Sequence, residues 1–224
     1  MLRIMLWKLG FEWAQLMRIL RPCPERTVYY FAFGANLSPD VLHQRRIRVL
    51  ESFDYALDDA GLRFSQAGFY RDHGYASADQ VPGERVYGKM YRMLLRDAVR
   101  MDYFEGVPQL RAHEKIFQTD GQREFFFYRA LNPEPGKKPT QEYLDYLLTA
   151  YREMEIVPED YIESMATTEV LEVFLPQNQT GDFVRNIEAW PVFMHPVLVI
   201  YEGFCLWWVE WLWNRSLFNN LIRV

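Results

Sequence analysis

Between residues 2 and 20 the apolar positions recur at helical spacing. Leu2, Met5, Leu6, Leu9, Trp13, Leu16, Met17 and Leu20 fall on one face, with Lys8, Glu12, Gln15 and Arg18 on the other. This spacing predicts an amphipathic helix, and Pro22 and Pro24 end it. From Thr27 the period changes. Val28 to Phe33 is a β-branched and aromatic run closed by Gly34, which predicts a buried strand entering a turn. Ser38-Pro39-Asp40 reads as a helix start, with Ser38 as N-cap and Pro39 in the first turn. Further strands are predicted at 55–57, 62–64, 85–93, 113–117 and 123–130, punctuated by Gly61, Gly74, Gly83 and Asp120-Gly121. Arg96 to Phe104 reads as a short helix. A loop follows at Asn132–Gly136, and another helix opens at Pro139-Thr140 and runs to Arg152.

Short strands interspersed with a few helices predict an α+β fold with a curved, barrel-like mixed sheet and helical extensions at both ends. Three parts are expected: the amphipathic helix over 1–24, a domain over 25–165, and an aromatic-rich extension over 166–224. In the last part Pro176, Asn178, Gly181, Pro191 and Pro196 suggest loops, and Trp207, Trp208, Trp211 and Trp213 crowd a terminal helix.

Composition narrows the possibilities. Half of the 224 residues are hydrophobic and a quarter charged, which is the make-up of a folded core rather than a disordered chain. The net charge of −5 opposes broad nucleic-acid binding, which needs a basic footprint. Cys23 and Cys205, near opposite ends, make neither a disulfide framework nor a zinc site. His43, His73, His113 and His195 show no metal-ligand spacing. The apolar stretch from Pro196 to Trp213 contains Glu202 and Glu210, each opposing membrane insertion by roughly 2–3 kcal/mol. A spanning helix is therefore not expected, nor a targeting signal, and the expected location is cytoplasmic.

Two stretches carry candidate chemistry. In Phe33-Gly34-Ala35-Asn36-Leu37 a glycine lets a ligand approach the main chain. Successive N–H groups beside a helix start suit a carbonyl oxygen or an anion. In Met101-Asp102-Tyr103-Phe104-Glu105-Gly106-Val107-Pro108 a carboxylate ends an apolar helix. Hydrophobic neighbours are expected to raise its pKa and let it take and return a proton. A surface glutamate at a helix end is the competing reading. Arg45, Arg46 and Arg48 read as a solvated face, or as a cationic rim for a carboxylate.

These stretches occur in an order that resembles the γ-glutamylcyclotransferase-like family. Phe-Gly-Ala-Asn-Leu at 33–37 is similar to the family's Tyr-Gly-Ser-Asn-Leu turn, and Gly74-Tyr75-Ala76-Ser77 to its Gly-Gly-aliphatic-Ala-Thr strand. Val86 to Tyr91 is similar to its Gly-Val-aromatic strand, Glu105-Gly106-Val107 to its Glu-Gly-Val element, and Pro139 to Tyr143 to its Pro-Ser-x-x-Tyr helix start. Ile156 to Ile162 is similar to a later Leu-Pro-x-x-Tyr. The resemblance covers about residues 27–165. It implies an activity in which a γ-glutamyl α-amine attacks its own γ-carbonyl, giving 5-oxoproline and a free amine or amino acid, as in glutathione metabolism.

By the same resemblance Glu105 is the catalytic carboxylate. Phe33, Gly34, Ala35, Asn36 and Leu37 bind the substrate, and Tyr143 closes the pocket. No metal or organic cofactor is implied. Phe33 and Ala35 each lack a hydroxyl that the family usually carries, and Gln109 to His113 replaces the usual tyrosines after Glu-Gly-Val. The alternative is a non-catalytic ligand-binding or membrane-peripheral protein on the same fold. The amphipathic helix at 2–20 is expected to pack on its own protein; a peripheral membrane contact or a homodimer interface through the aromatic terminal helices is the alternative.

Overall fold

The computed structural model describes residues 26–172 except 46, 69–70 and 108–111, together with Trp13, Phe193, Pro196 and Val197. The expected helices over 2–20 and around Trp207–Trp213 lie outside the described residues. The chain divides into two units, Glu25–Gly181 and the terminal stretches Met1–Pro24 with Asp182–Val224. The described fold belongs to the first unit.

Its elements are β1 (Thr27–Ala32), a 3-10 turn (Ala35–Leu37), α1 (Pro39–Gln44), β2 (Val49–Ala67), β3 (Gly74–Leu94), α2 (Leu95–Phe104), β4 (His113–Thr119), β5 (Glu124–Ala130), α3 (Gln141–Arg152) and α4 (Glu159–Ala166). The strands form one sheet in the order β2-β3-β1-β5-β4. β1 runs antiparallel to β3 and parallel to β5, and the remaining pairs are antiparallel, so the sheet is mixed. It also curls. The N–H of Ala130, at the end of β5, donates to Ser77 Oγ on the first half of β3 at 3.1 Å, although the two strands are not neighbours.

The position of β1 explains its unbroken apolar sequence: it is the central strand, and both of its faces are buried. Tyr30 and Ala32 join a core with Met93, Met101, Phe126, Leu147 and Tyr151, while Phe31 and Phe33 join another with Leu57, Val86, Met90 and Phe127. Tyr30 stands in register with Tyr91 on β3 and with Phe126 on β5, and its ring stacks on Phe126 at 5.2 Å.

The helices follow their local signals. Ser38 caps α1, its Oγ accepting from Val41 N–H, with Pro39 in the first turn. Thr140 caps α3 in the same way through Tyr143 N–H. From α3, Leu144, Leu147, Leu148 and Tyr151 are buried, one stripe at helical spacing.

Two expectations about the strands need correcting. The short strands predicted at 55–57 and 62–64 are one strand of 19 residues, and β3 begins at Gly74 rather than Arg85, for 21 residues. Gly61 and Gly83 do not end strands. Asp58 pairs with Arg85 but Ala60 with Gln80, so Asp59 alone faces Val81 to Glu84. This is a bulge, and it is closed by Gly83 N–H donating to Asp59 Oδ1 at 2.8 Å.

Candidate active site

The loop after β1 and the end of α2 converge. Glu105 is the first residue past α2. Its N–H donates to Met101 O, and Val107 N–H donates to Asp102 O, each at 2.9 Å. Gly106 has φ +65°, the left-handed conformation that this helix ending requires. The Glu-Gly-Val order thus has a local physical reason. Glutamate sits on the C-cap, glycine makes the turn, and Val107 returns its side chain toward the core.

The Glu105 side chain turns inward and keeps only 13% of its exposure. Its Oε1 accepts from Arg45 Nη1 at 2.6 Å and from Asn36 Nδ2 at 3.1 Å. Asn36, itself buried, also donates to the Tyr30 hydroxyl at 2.7 Å and accepts from Arg45 Nη1 through Oδ1 at 2.9 Å. Each end of the Asn36 amide therefore meets a partner that only that end can satisfy, which orients it. Arg45, the residue capping α1, stacks its guanidinium 5.1 Å from the centre of the Phe104 ring. From β4, His113 Nδ1 lies 3.0 Å from the backbone carbonyl oxygen of Glu105 and 3.5 Å from its Oε2.

These partners decide the charge of Glu105. Burial pushes its pKa up, but His113, Arg45 and Asn36 together outweigh burial, and the carboxyl is held below the usual glutamate range. The expected upward shift is thus corrected: apolar neighbours are present, but the charged and hydrogen-bonding ones dominate. Tyr30 moves the other way. Burial first, and the charge of Glu105 second, push its hydroxyl well above its ordinary value, so it remains neutral.

The turn at 33–37 is held through its carbonyls. Tyr146 Oη donates to Ala35 O at 3.1 Å and Tyr151 Oη donates to Phe33 O at 2.7 Å, so α3 grips the turn at two points. Leu37 N–H is used internally, donating to Gly34 O at 2.9 Å, and the Leu37 side chain is buried in the core. The N–H groups of Gly34, Ala35 and Asn36 have no acceptor among the described residues. Tyr143 stands over the turn. A Cβ on Gly34 would lie 3.2 Å from the Tyr143 hydroxyl oxygen and 3.6 Å from Ala76 Cβ, so a side chain at that position would crowd the phenol. The Tyr143 ring meets Phe64 and Tyr75 edge-on, with centroids 6.3 and 5.5 Å away.

Asn36 and Glu105 are therefore in direct contact, and Tyr143 closes on Gly34. Phe33 differs from these. Its ring lies 5.8 Å from that of Phe31, in the second core, and only its carbonyl takes part in holding the turn. Sequence reasoning missed Arg45, which it treated as a solvated or rim residue, and it set His113 aside. The chemistry available is that of an ionised, largely buried carboxylate near a row of N–H groups unpaired among the described residues. The carboxylate accepts protons, and the N–H groups stabilise a developing oxyanion.

No protein-family model matches the sequence, and no curated protein matches it in sequence. Solved structures do resemble it. A structure described as a gamma-glutamyl cyclotransferase superposes with a TM-score of 0.55 and 22% identity, covering 72% of this chain and 98% of that one. An uncharacterized protein from Homo sapiens gives 0.54 and 22%, covering 73% and 98%. YkqA from Bacillus subtilis gives 0.55 and 16%, covering 70% of this chain and 60% of its own. At these identities the likeness is one of fold: a mixed five-stranded α+β sheet of the γ-glutamylcyclotransferase type. Among the described residues no helix is long and apolar enough to cross a membrane.

Proposed function

We propose that this chain, which has the γ-glutamylcyclotransferase-like fold, is a γ-glutamyl cyclotransferase. In this reading Glu105, held ionised, takes a proton from the substrate's α-ammonium, since only the free amine is a nucleophile. The amine nitrogen then attacks the γ-carbonyl carbon. As that N–C bond forms, negative charge develops on the carbonyl oxygen, and the free N–H groups of Gly34, Ala35 and Asn36 stabilise it. Collapse of the intermediate breaks the bond to the leaving nitrogen. Glu105 returns its proton there, then takes the second proton from the ring nitrogen and passes it to the released amine, so the products are 5-oxoproline and an ammonium or amino acid, with charge conserved. No water, metal or redox partner is consumed. Tyr143 over the turn helps to hold the glutamyl chain curled, an entropic contribution suited to ring closure.

One observation carries this reading: Asn36 of the glycine turn bonds the carboxylate of Glu105 at 3.1 Å, joining elements 69 residues apart. The replacement of tyrosine by Phe33 weighs less against it, because that ring packs in the second core rather than beside Glu105. The test offers purified full-length protein γ-glutamyl dipeptides, glutathione, γ-glutamylamines and γ-glutamyl-lysine, and measures 5-oxoproline. Release identifies the leaving group. Silence from folded protein on every substrate favours the non-catalytic, ligand-binding alternative.

A further inference from the structure

We infer that His113 is a positioning residue which divides the labour of the Glu105 carboxylate, leaving Oε1 as the anchor and Oε2 as the oxygen that carries the proton; this rests on the cyclotransferase reading above. The two oxygens have unequal surroundings. Oε1 accepts from Arg45 Nη1 at 2.6 Å and from Asn36 Nδ2 at 3.1 Å, so a proton could settle there only by displacing one of two donors, one of them cationic. The one partner of Oε2 among the described residues is His113 Nδ1, and at 3.5 Å that contact is at the limit of a hydrogen bond. As far as the described residues go, Oε2 is open to accept.

His113 keeps it so because its Nδ1 is engaged elsewhere. The Glu105 carbonyl, 3.0 Å from Nδ1, only accepts. Nδ1 must therefore carry the hydrogen, and the neutral ring is the Nδ1–H tautomer. That carbonyl ends α2 and has no further helical turn to pair with, so the imidazole satisfies it. His113 opens β4 and pairs with Ala130 on β5, so the ring is anchored to the sheet. It grips Glu105 by the main chain and lays its edge along Oε2 without engaging it fully. The tyrosines facing the carboxylate among the described residues supply no competing proton near neutrality. Tyr30, Tyr128 and Tyr143 are all pushed above their ordinary pKa, chiefly by burial.

The test has two arms. Long-range proton–nitrogen NMR of the full-length protein, at a pH where the ring is neutral, reads the tautomer without any turnover. The signal of His113 among the four histidines is assigned by its loss in His113→Gln. An Nδ1–H ring is expected, and an Nε2–H ring overturns the inference. In the second arm 5-oxoproline release is compared for His113→Ala, His113→Asn and His113→Gln. Asparagine places its amide nitrogen where Nδ1 sits, whereas glutamine places it near Nε2. His113→Ala is expected to lose kcat by about ten- to a hundredfold, as misplacement of a catalytic group does. KM is expected to stay within about threefold, because ground-state binding is untouched. His113→Asn should recover most of the loss and His113→Gln little. Wild-type-like kcat in His113→Ala, or equal recovery by His113→Gln, overturns the inference. An active wild type with the Nε2–H ring sinks His113 alone. A silent wild type with the Nδ1–H ring sinks the cyclotransferase reading, and with it the working oxygen.

Discussion

Replacing Arg45 by methionine removes the guanidinium while keeping most of the stem. Glu105 then loses its closest donor, at 2.6 Å, and Asn36 loses the partner of its Oδ1. Breaking one side of a fully buried ion pair costs about 3–5 kcal/mol. Here the two side chains keep 23% and 13% of their exposure, so water relieves part of that, and about 2–3 kcal/mol is expected. With a urea m-value of about 1–3 kcal/mol per molar, the unfolding midpoint falls by about 0.7–3 M at pH 7. The pH dependence gives the sharper test. In the wild type the folded-state pKa of Glu105 is depressed, so its contribution to stability is present above the ordinary glutamate value and lost as pH falls through the folded value. In Arg45→Met burial meets weaker opposition and the pKa rises. The gap between variant and wild type is therefore widest near neutrality and narrows in acid, where both carboxyls are protonated. The domain should be followed by far-UV circular dichroism, because all seven tryptophans lie outside residues 26–172. A midpoint unchanged at pH 7, or a gap that widens in acid, would refute the reasoning.

Two further perturbations test the geometry around the carboxylate. Gly106→Ala forces a Cβ onto φ +65°, costing about 1–2 kcal/mol, and should also depress turnover because Glu105 is the adjacent residue. Gly121→Ala, at φ +85° with nothing within 4 Å of its Cβ, should cost similar stability and leave turnover unchanged; equal loss of activity in both would contradict the assignment. Gly34→Ala crowds the Tyr143 hydroxyl at 3.2 Å and should raise KM more than it lowers kcat. Combined with Tyr143→Phe, it should lose less than the sum of the two single effects, by about 0.5 kcal/mol or more in kcat/KM. Strict additivity would mean that the phenol does not close on the turn.

Local signals carried a large part of this structure. The apolar run at 28–33 identifies a doubly buried strand, Ser38-Pro39 and Thr140 mark caps, and Glu-Gly-Val encodes a helix ending that aims a carboxylate. What local reading missed depends on distant partners. Gly61 and Gly83 resemble strand ends, and only the continuous pairing of β2 with β3 shows that the strands pass through them. Arg45 lies in a basic cluster like any solvated helix end, and nothing nearby announces Glu105, 60 residues later. The pKa of Glu105 was misjudged for the same reason. Its apolar neighbours in sequence favour the protonated form, but Arg45, Asn36 and His113 arrive from three other elements and reverse the sign.

The most direct test of the central claim is 5-oxoproline release by the wild type and by Glu105→Gln, on whichever γ-glutamyl substrate the panel identifies. Glutamine keeps the shape of the side chain and a carbonyl for Arg45 and Asn36, but it cannot carry the proton. The account predicts a well-folded variant whose kcat falls by about a hundredfold or more, the range for a lost general acid–base group. A Glu105→Gln protein turning over at the wild-type rate would contradict it.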